Sequence, residues 1–389
     1  MRQQPAQIAD DPLFIGSEIY RTSSYGRKHP LAIPRVSTCI DLCRALGWLP
    51  DRLYVDSPCA DTAVLARFHD PAYIAAVQAA EAEQAVSESI RHRFRLGAEG
   101  NPVFPEIFRR PATACGGSVK AAGLLLNGCN VVYSPAGGTH HGRPDRASGF
   151  CYFNDPALAI LALLDGGLKR IAYVDIDAHH GDGVQDAFHD DDRVLTVSVH
   201  EDGRWPMAKA GLYGAGRADD RAGGFARNVP VPYGFNDSEM AYVLEAAILP
   251  LVTDWEPEAV VLQAGCDAVA DDPMSRLALS NGALWRVVAA LKPVAPRFLC
   301  LGGGGYNPWA VGRAWTGVWA TLRGYPIPDR LPHEGESILR GLYWRHSWGR
   351  SPPEAWMTTL ADPPRPGPIR GSVRESVATA MTDINPERG

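Results

Sequence analysis

The chain has 389 residues, 46% of them hydrophobic, with a formal net charge of -6 and a pI near 6.0. That is enough apolar content for a substantial core, and no lysine or arginine run marks a nucleic-acid or membrane-surface binder. The start, MRQQPAQIADDP, has no apolar leader core, and no stretch approaches the roughly 18 uninterrupted apolar residues of a membrane span, so the sequence reads as soluble and cytoplasmic.

Residues 1–34 are turn-rich, including Tyr25-Gly26-Arg27-Lys28-His29-Pro30, and read as a loop laid over another part of the molecule. Helical spacing follows at 36–46, 70–81 and 112–126, with a surface loop expected at Ala98-Glu99-Gly100-Asn101-Pro102. From Asn130 the pattern changes: β-branched runs at 131–133, 171–174, 194–199, 259–262 and 298–301 alternate with helical ones. That alternation predicts βαβ units and a mostly parallel sheet. Each run ends in polar or glycine-rich text: GGTHHGRPDRASGF, DIDAHHGDG, HEDGRW, QAGCDAVADDP and GGGGYNP. Five such strand ends define one mouth, and no domain boundary can fall between His140 and Tyr306. The catalytic unit is therefore placed at 1–349, and the Pro-rich segment 350–389, with a short helical pattern at 372–381, is expected to pack peripherally. The eight cysteines (Cys39, Cys43, Cys59, Cys115, Cys129, Cys151, Cys266, Cys300) contain no C-x-x-C pair, which speaks against a zinc ribbon and for reduced, buried thiols.

The densest chemistry lies in 173–183, YVDIDAHHGDG. Asp177 and His179 stand two apart, so in extended chain they face one side and can grip one cation, with Asp175 deeper on the same parity. A carboxylate with an imidazole suits Zn2+ or Fe2+. Asp267, in Gly265-Cys266-Asp267 at the next strand end, offers a third ligand and leaves positions open, as a catalytic zinc requires. Asp175 and Asp182 are then spare carboxylates. Set behind the adjacent histidines His140 and His141, they would make two His-Asp dyads for acid and base work. Tyr306, after four glycines, can donate to a developing oxyanion, although a packed core tyrosine would look the same. The glycine run lacks the Lys-Ser/Thr of a phosphate loop.

In order and spacing, GGTHHGRPDRASGFCYFND, DIDAHHGDGVQDAF, VLTVSVHE, QAGCDAVADDPM and LGGGGYN resemble the zinc-dependent histone deacetylase superfamily, which also holds bacterial acetylpolyamine amidohydrolases and acetoin-utilisation proteins. The resemblance spans roughly 18–325. It implies the arginase/deacetylase fold, a single α/β domain with a central parallel sheet of about eight strands. It implies zinc on Asp177, His179 and Asp267, an acid/base pair His140 and His141 backed by Asp175 and Asp182, and Tyr306 as the carbonyl-polarising group. It further implies structural potassium at Asp175, Asp177, His179, Ser198 and Val199, and a second near Phe188, Asp191 and Val194. Phe150 would wall an acyl-lysine tunnel, with Gly149, Trp205 and Met274 as further substrate-binding candidates, and Arg35 would line a cavity for departing acetate. The related arginases bind two Mn2+ ions, but the positions completing the second ion are Gly181 and Val269 here, so a single-metal site is expected.

Two departures concern the substrate. Peptide deacetylases of the family carry a backbone-gripping Asp where this chain has Gly100. Some polyamine-preferring relatives have an acidic gate residue where it has Met274. Glu201 and Asp202 are left as acids for a cation at the rim. The implied substrate is a linear acetylated amine: acetyl-lysine, free or in protein, or an acetylpolyamine. A non-catalytic acyl-lysine-binding protein is the reading from another class, and a homo-oligomer stays open.

Overall fold

The computed structural model describes residues 11–98, 100–206 and 216–382. Eight strands form one sheet: β1 (Leu13–Gly16), β2 (Tyr54–Asp56), β3 (Val131–Ser134), β4 (Ile171–Asp175), β5 (Val194–Glu201), β6 (Ala226–Val231), β7 (Ala259–Gln263) and β8 (Phe298–Leu301). Their order is β2-β1-β3-β8-β7-β4-β5-β6, and every pairing is parallel. The central strands are buried along their whole length, which explains their unbroken apolar text: helices cover a parallel sheet and no face alternates with solvent.

Register matters most for the site. Ser134 pairs with Leu301, Leu301 with Gln263, Gln263 with Asp175, and Asp175 with Ser198. Four strands therefore end level, and the loops after them open into one crevice, where open α/β sheets place their ligands.

The five runs read from the sequence are β3, β4, β5, β7 and β8. The strands the pattern did not resolve, β1, β2 and β6, are short or at the sheet's edges. The helices at 36–46, 70–81 and 112–126 appear as Val36–Ala45, Pro71–Glu83 and Arg109–Leu126. A second apolar cluster, separate from the sheet core, gathers Tyr25, Leu31, Phe104, Tyr152 and Tyr306. The N-terminal loop lies over it, with Tyr25 stacked on Phe104 at 4.7 Å. The 98–102 segment is less superficial than expected. Asn101 is buried, and its Oδ1 accepts the Phe150 amide at 3.0 Å.

Beyond Arg350, a helix Gly371–Ala380 lies on β6 with Val373, Val377 and Ala380 buried. Arg313 pairs with Asp362 at 2.7 Å, and Arg370 holds Glu239 at 2.7 Å.

Candidate active site

Two glycine loops meet at the crevice floor. Gly138 has φ +96°, and a Cβ there would lie 2.6 Å from the Gly303 amide nitrogen, so only glycine lets the β3 and β8 loops touch. Asp155, fully buried, fixes the turn into the histidines by accepting the amides of Gly138 at 3.0 Å and Thr139 at 2.8 Å. Asn307 caps the helix Pro308–Arg323 through the Trp309 amide at 3.1 Å, which starts that helix directly after Tyr306.

Asp177, His179 and Asp267 converge. One ligand atom from each lies within 4.8 Å of the others, and all three are buried. His179 Nδ1 is 3.2 Å from Asp177 Oδ1 and 2.9 Å from Asp267 Oδ2. Burial would lower the His179 pKa, but the two carboxylates outweigh it and raise it to about 10. Their orientation is set from outside: Gly304 donates its amide to Asp177 at 2.6 Å, and Ala178 donates to Asp267 at 2.9 Å. Two buried carboxylates that draw a proton onto the imidazole between them form a site that favours a cation, and oxygen with nitrogen donors suits Zn2+ or Fe2+. The residues fit the expected ion.

Both dyads form. His140 Nδ1 lies 2.7 Å from Asp175 Oδ2, which also accepts the Tyr173 hydroxyl at 2.7 Å. His141 Nδ1 lies 2.6 Å from Asp182 Oδ1. The other Asp182 oxygen accepts from Arg143, whose guanidinium also reaches Asp186. The two imidazoles diverge in charge. For His140, burial pulls the pKa down but the Asp175 and Asp177 charges outweigh it, raising it to about 9. For His141, burial and then the neighbouring His140 depress it to about 3. A neutral His141 with Nδ1–H toward Asp182 presents Nε2 as an acceptor.

Tyr306 is buried, its amide held by Asp272 at 2.6 Å and its ring edge-on to Phe150 with centroids 6.0 Å apart. Burial raises its phenol well above the ordinary value, so it stays a hydrogen-bond donor. Gly149, Phe150, Trp205 and Met274 line an open cleft of about 1260 Å3 that reaches His141, His179 and Tyr306. Trp205 meets His141 edge-on at 4.6 Å. Arg35 lies on the inner side, where its Nη1 donates to Gly303 at 2.7 Å and it faces a cavity of about 50 Å3 shared with His140, His141 and Tyr306.

The expected potassium residues fall in two places. Asp175, Asp177, His179, Ser198 and Val199 gather at the ends of β4 and β5, with Asp175 accepting the Asp177 amide at 3.0 Å. Phe188, Asp191 and Val194 share a tight turn, and there the Asp191 carboxylate binds Arg193 at 2.6 Å. Glu201 differs from expectation. It is buried, it pairs with Arg204, and it accepts the Arg276 amide at 2.8 Å, leaving Asp202 as the exposed acid. Sequence reasoning missed Arg143, Asp155 and Asp272, which act through other residues and carry no motif of their own. The extra charges in GRPDRASGFCYFND were the available signal for the first two.

A buried Asp-His-Asp set that could hold a metal ion, with two His-Asp dyads and one phenol, stands at the mouth of an eight-stranded parallel sheet of the arginase/deacetylase fold. The histone deacetylase domain model matches residues 29–322, and the chain belongs to that family. It is 35% identical over 315 residues to a putative histone deacetylase 2 of Caenorhabditis elegans, covering 79% of this chain but 61% of that protein. It is 29% identical to the acetoin utilization protein AcuC of Bacillus subtilis (strain 168), covering 97% of this chain and 98% of that one. Among solved structures, an HDAC homologue from Aquifex aeolicus matches with a TM-score of 0.88 and 35% identity, covering 95% of this chain and 99% of that one. An HDAC homologue complexed with SAHA matches equally well, with a TM-score of 0.88 and 34% identity.

Proposed function

We propose that the protein is a zinc-dependent deacylase that hydrolyses the N-acetyl amide of acetyl-lysine or a similar linear acetylated amine. The observation that carries this reading is the convergence of the buried Asp177, His179 and Asp267 beside His141, which is braced by Asp182, with Tyr306 lining the same cleft. Asp177, His179 and Asp267 would hold the ion. When bound, it polarises the acyl carbonyl and lowers the pKa of a water from about 15.7 toward about 7.

The remaining work falls to the chain. His141 Nε2 takes the proton as water oxygen adds to the carbonyl carbon, and delivers it to the departing amine nitrogen as the C–N bond breaks. His140, charged on Asp175, steadies negative charge in the same space. Tyr306 donates to the former carbonyl oxygen as charge collects there. Phe150 and Trp205 give the alkyl chain aromatic surfaces, and Asp177, His179, Asp267 and Tyr306 are buried side chains.

Two observations bear on the substrate. Gly100 has φ +84°, and a Cβ there would lie 2.5 Å from the Phe150 ring, so Phe150 fills the space where relatives carry a peptide-gripping carboxylate. Glu201 is paired with Arg204, and among the described residues lining the cleft Asp202 is the one exposed acid left for a polyamine. Acetyl-lysine, free or in an unstructured segment, fits better than acetylputrescine. A panel of acetyl-lysine peptides, free acetyl-lysine and acetylputrescine tests this. Highest kcat/KM is expected on acetyl-lysine, and a clear preference for acetylputrescine would reverse the order.

A further inference from the structure

Arg95, Arg143, Arg146, Arg204 and Arg276 line the open cleft, against three acids, Asp182, Glu201 and Asp202. Asp182 is committed to His141 and Arg143, and Glu201 to Arg204. Arg146 is exposed and meets its neighbour Asp145 at 2.7 Å. Two lining side chains, Asp202 and Arg276, are exposed and enter no ion pair among the described residues, with each other or with any other group. The backbone nevertheless holds them close. Glu201, the residue before Asp202, accepts the Arg276 amide at 2.8 Å. The Asp202 amide donates to the Val231 carbonyl at 2.9 Å, and the Arg276 carbonyl accepts the Gly234 amide at 2.8 Å. Both residues therefore rest on the end of β6 and the turn after it, with Trp205 and Met274 next to them in the cleft lining. The fold presents one anion and one cation at the mouth and leaves them unjoined. A ligand carrying both charges would complement that pair, whereas a polyamine would meet Arg276 with like charge.

We propose that Arg276 and Asp202 read the amino-acid end of free Nε-acetyl-lysine, Arg276 taking the α-carboxylate and Asp202 the α-ammonium, so that the free acetylated amino acid is preferred over the same residue inside a peptide. The placement of the acetyl end, at Tyr306 and the metal ligands, rests on the deacylase reading. A lysine within a chain has both α-groups tied up in peptide bonds and offers neither charge. In the free amino acid the side-chain methylenes run along Phe150 and Trp205, and the α-carbon emerges where the two unpaired charges stand. A guanidinium meets a carboxylate as a fork, which gives direction as well as attraction. Contacts at an exposed rim are worth only a few-fold each and weaken with salt.

The test compares free Nε-acetyl-lysine with its α-carboxamide and with its Nα-acetylated α-carboxamide, which lack one charge and both, as substrates of the full-length, metal-loaded protein. Each charge removed is expected to lower kcat/KM about 2- to 5-fold. The steps should shrink as ionic strength rises from about 0.02 M to about 0.5 M, which a packing role would not produce. Arg276→Gln should bring the acid and its carboxamide level, and Arg276→Lys should restore part of the step. Asp202→Asn should remove the step between the two carboxamides. Equal kcat/KM for the free and doubly blocked compounds would overturn the proposal, as would a preference for the acid that survives Arg276→Gln. Calorimetry with the matching methyl ketones, in which a methylene replaces the amide nitrogen so that nothing can be cleaved, reads binding independently of turnover. Ketone binding that depends on the α-carboxylate and on Arg276, without turnover of any acetylated amine, would sink the deacylase and leave the amino-acid site standing. Turnover indifferent to both α-charges would do the reverse, and failure of every ketone to bind would also overturn the site.

Discussion

Asp182 is shared by His141 and Arg143, one oxygen meeting the imidazole Nδ1 at 2.6 Å and the other taking the guanidinium. Its counterpart behind His140, Asp175, is shared with a phenol instead, Tyr173. The arginine keeps Asp182 ionised. Against the push of burial, His141 and Arg143 hold its carboxyl well below the usual carboxylate range. An ionised Asp182 locks the Nδ1–H tautomer and leaves Nε2 to the substrate. Asp182→Asn should lower kcat about 10- to 100-fold while the metal stays bound. A variant with full kcat would mean that Asp182 only packs.

His179→Ala is expected to lose metal and activity together, because Nδ1 faces both carboxylates. His141→Ala is expected to lose activity and keep metal. Metal analysis of the two variants separates a ligand from an acid/base group, and equal metal loss in both would undo the assignment. The native protein is expected to hold one divalent ion per chain. At position 181 a Cβ would already lie 2.4 Å from Asp175 Oδ2, and Val269 offers no donor. Two tightly held transition-metal ions would contradict this.

Much of this site was legible before the fold. The parity of Asp175, Asp177 and His179 needs only the alternation of an extended chain, and the five strand ends announced themselves by apolar runs breaking into glycine and charge. β1 and β2 were not legible, since LFIG and YVD are too short to show a period, and neither was β6, ARNVPV, at the far edge. Glu201 misled because a charged residue in a loop reads as solvated, and only the structure places Arg204 over it.

Stability should depend on His69. This buried imidazole donates from Nδ1 to the Arg143 carbonyl at 3.0 Å and accepts the Asn154 amide at Nε2 at 2.9 Å, an arrangement open only to the neutral ring. Burial lowers its pKa from 6.5 to about 4. The folded state thus binds fewer protons than the unfolded one between those values. The contribution is complete above pH ~6.5 and is lost as pH falls toward ~4, amounting to about 2 kcal/mol by pH ~5. Urea denaturation at pH ~7.5 and ~5 should show His69→Gln losing less stability on acidification than the native protein, by about that amount. Equal losses would assign the acid sensitivity elsewhere.

Tyr306→Phe removes one buried donor from the candidate site. Such a loss costs on the order of 10^2 to 10^3 in kcat, with KM nearly unchanged because the bond matters in the transition state. Steady-state kinetics on the folded, metal-loaded variant decides it. Unchanged kcat would make Tyr306 a packed aromatic and favour a protein that binds acyl-lysine without cutting it.

The central claim is that this chain cleaves an acetyl amide with a metal held by Asp177, His179 and Asp267. Its most direct test is turnover of a fluorogenic acetyl-lysine substrate by the purified protein before chelation, after chelation, and after stoichiometric Zn2+ is returned. The account predicts turnover, its loss, and its recovery, with Asp267→Ala failing to recover. Turnover that survives complete metal removal, or none at any stage in a folded, zinc-loaded protein, would contradict it.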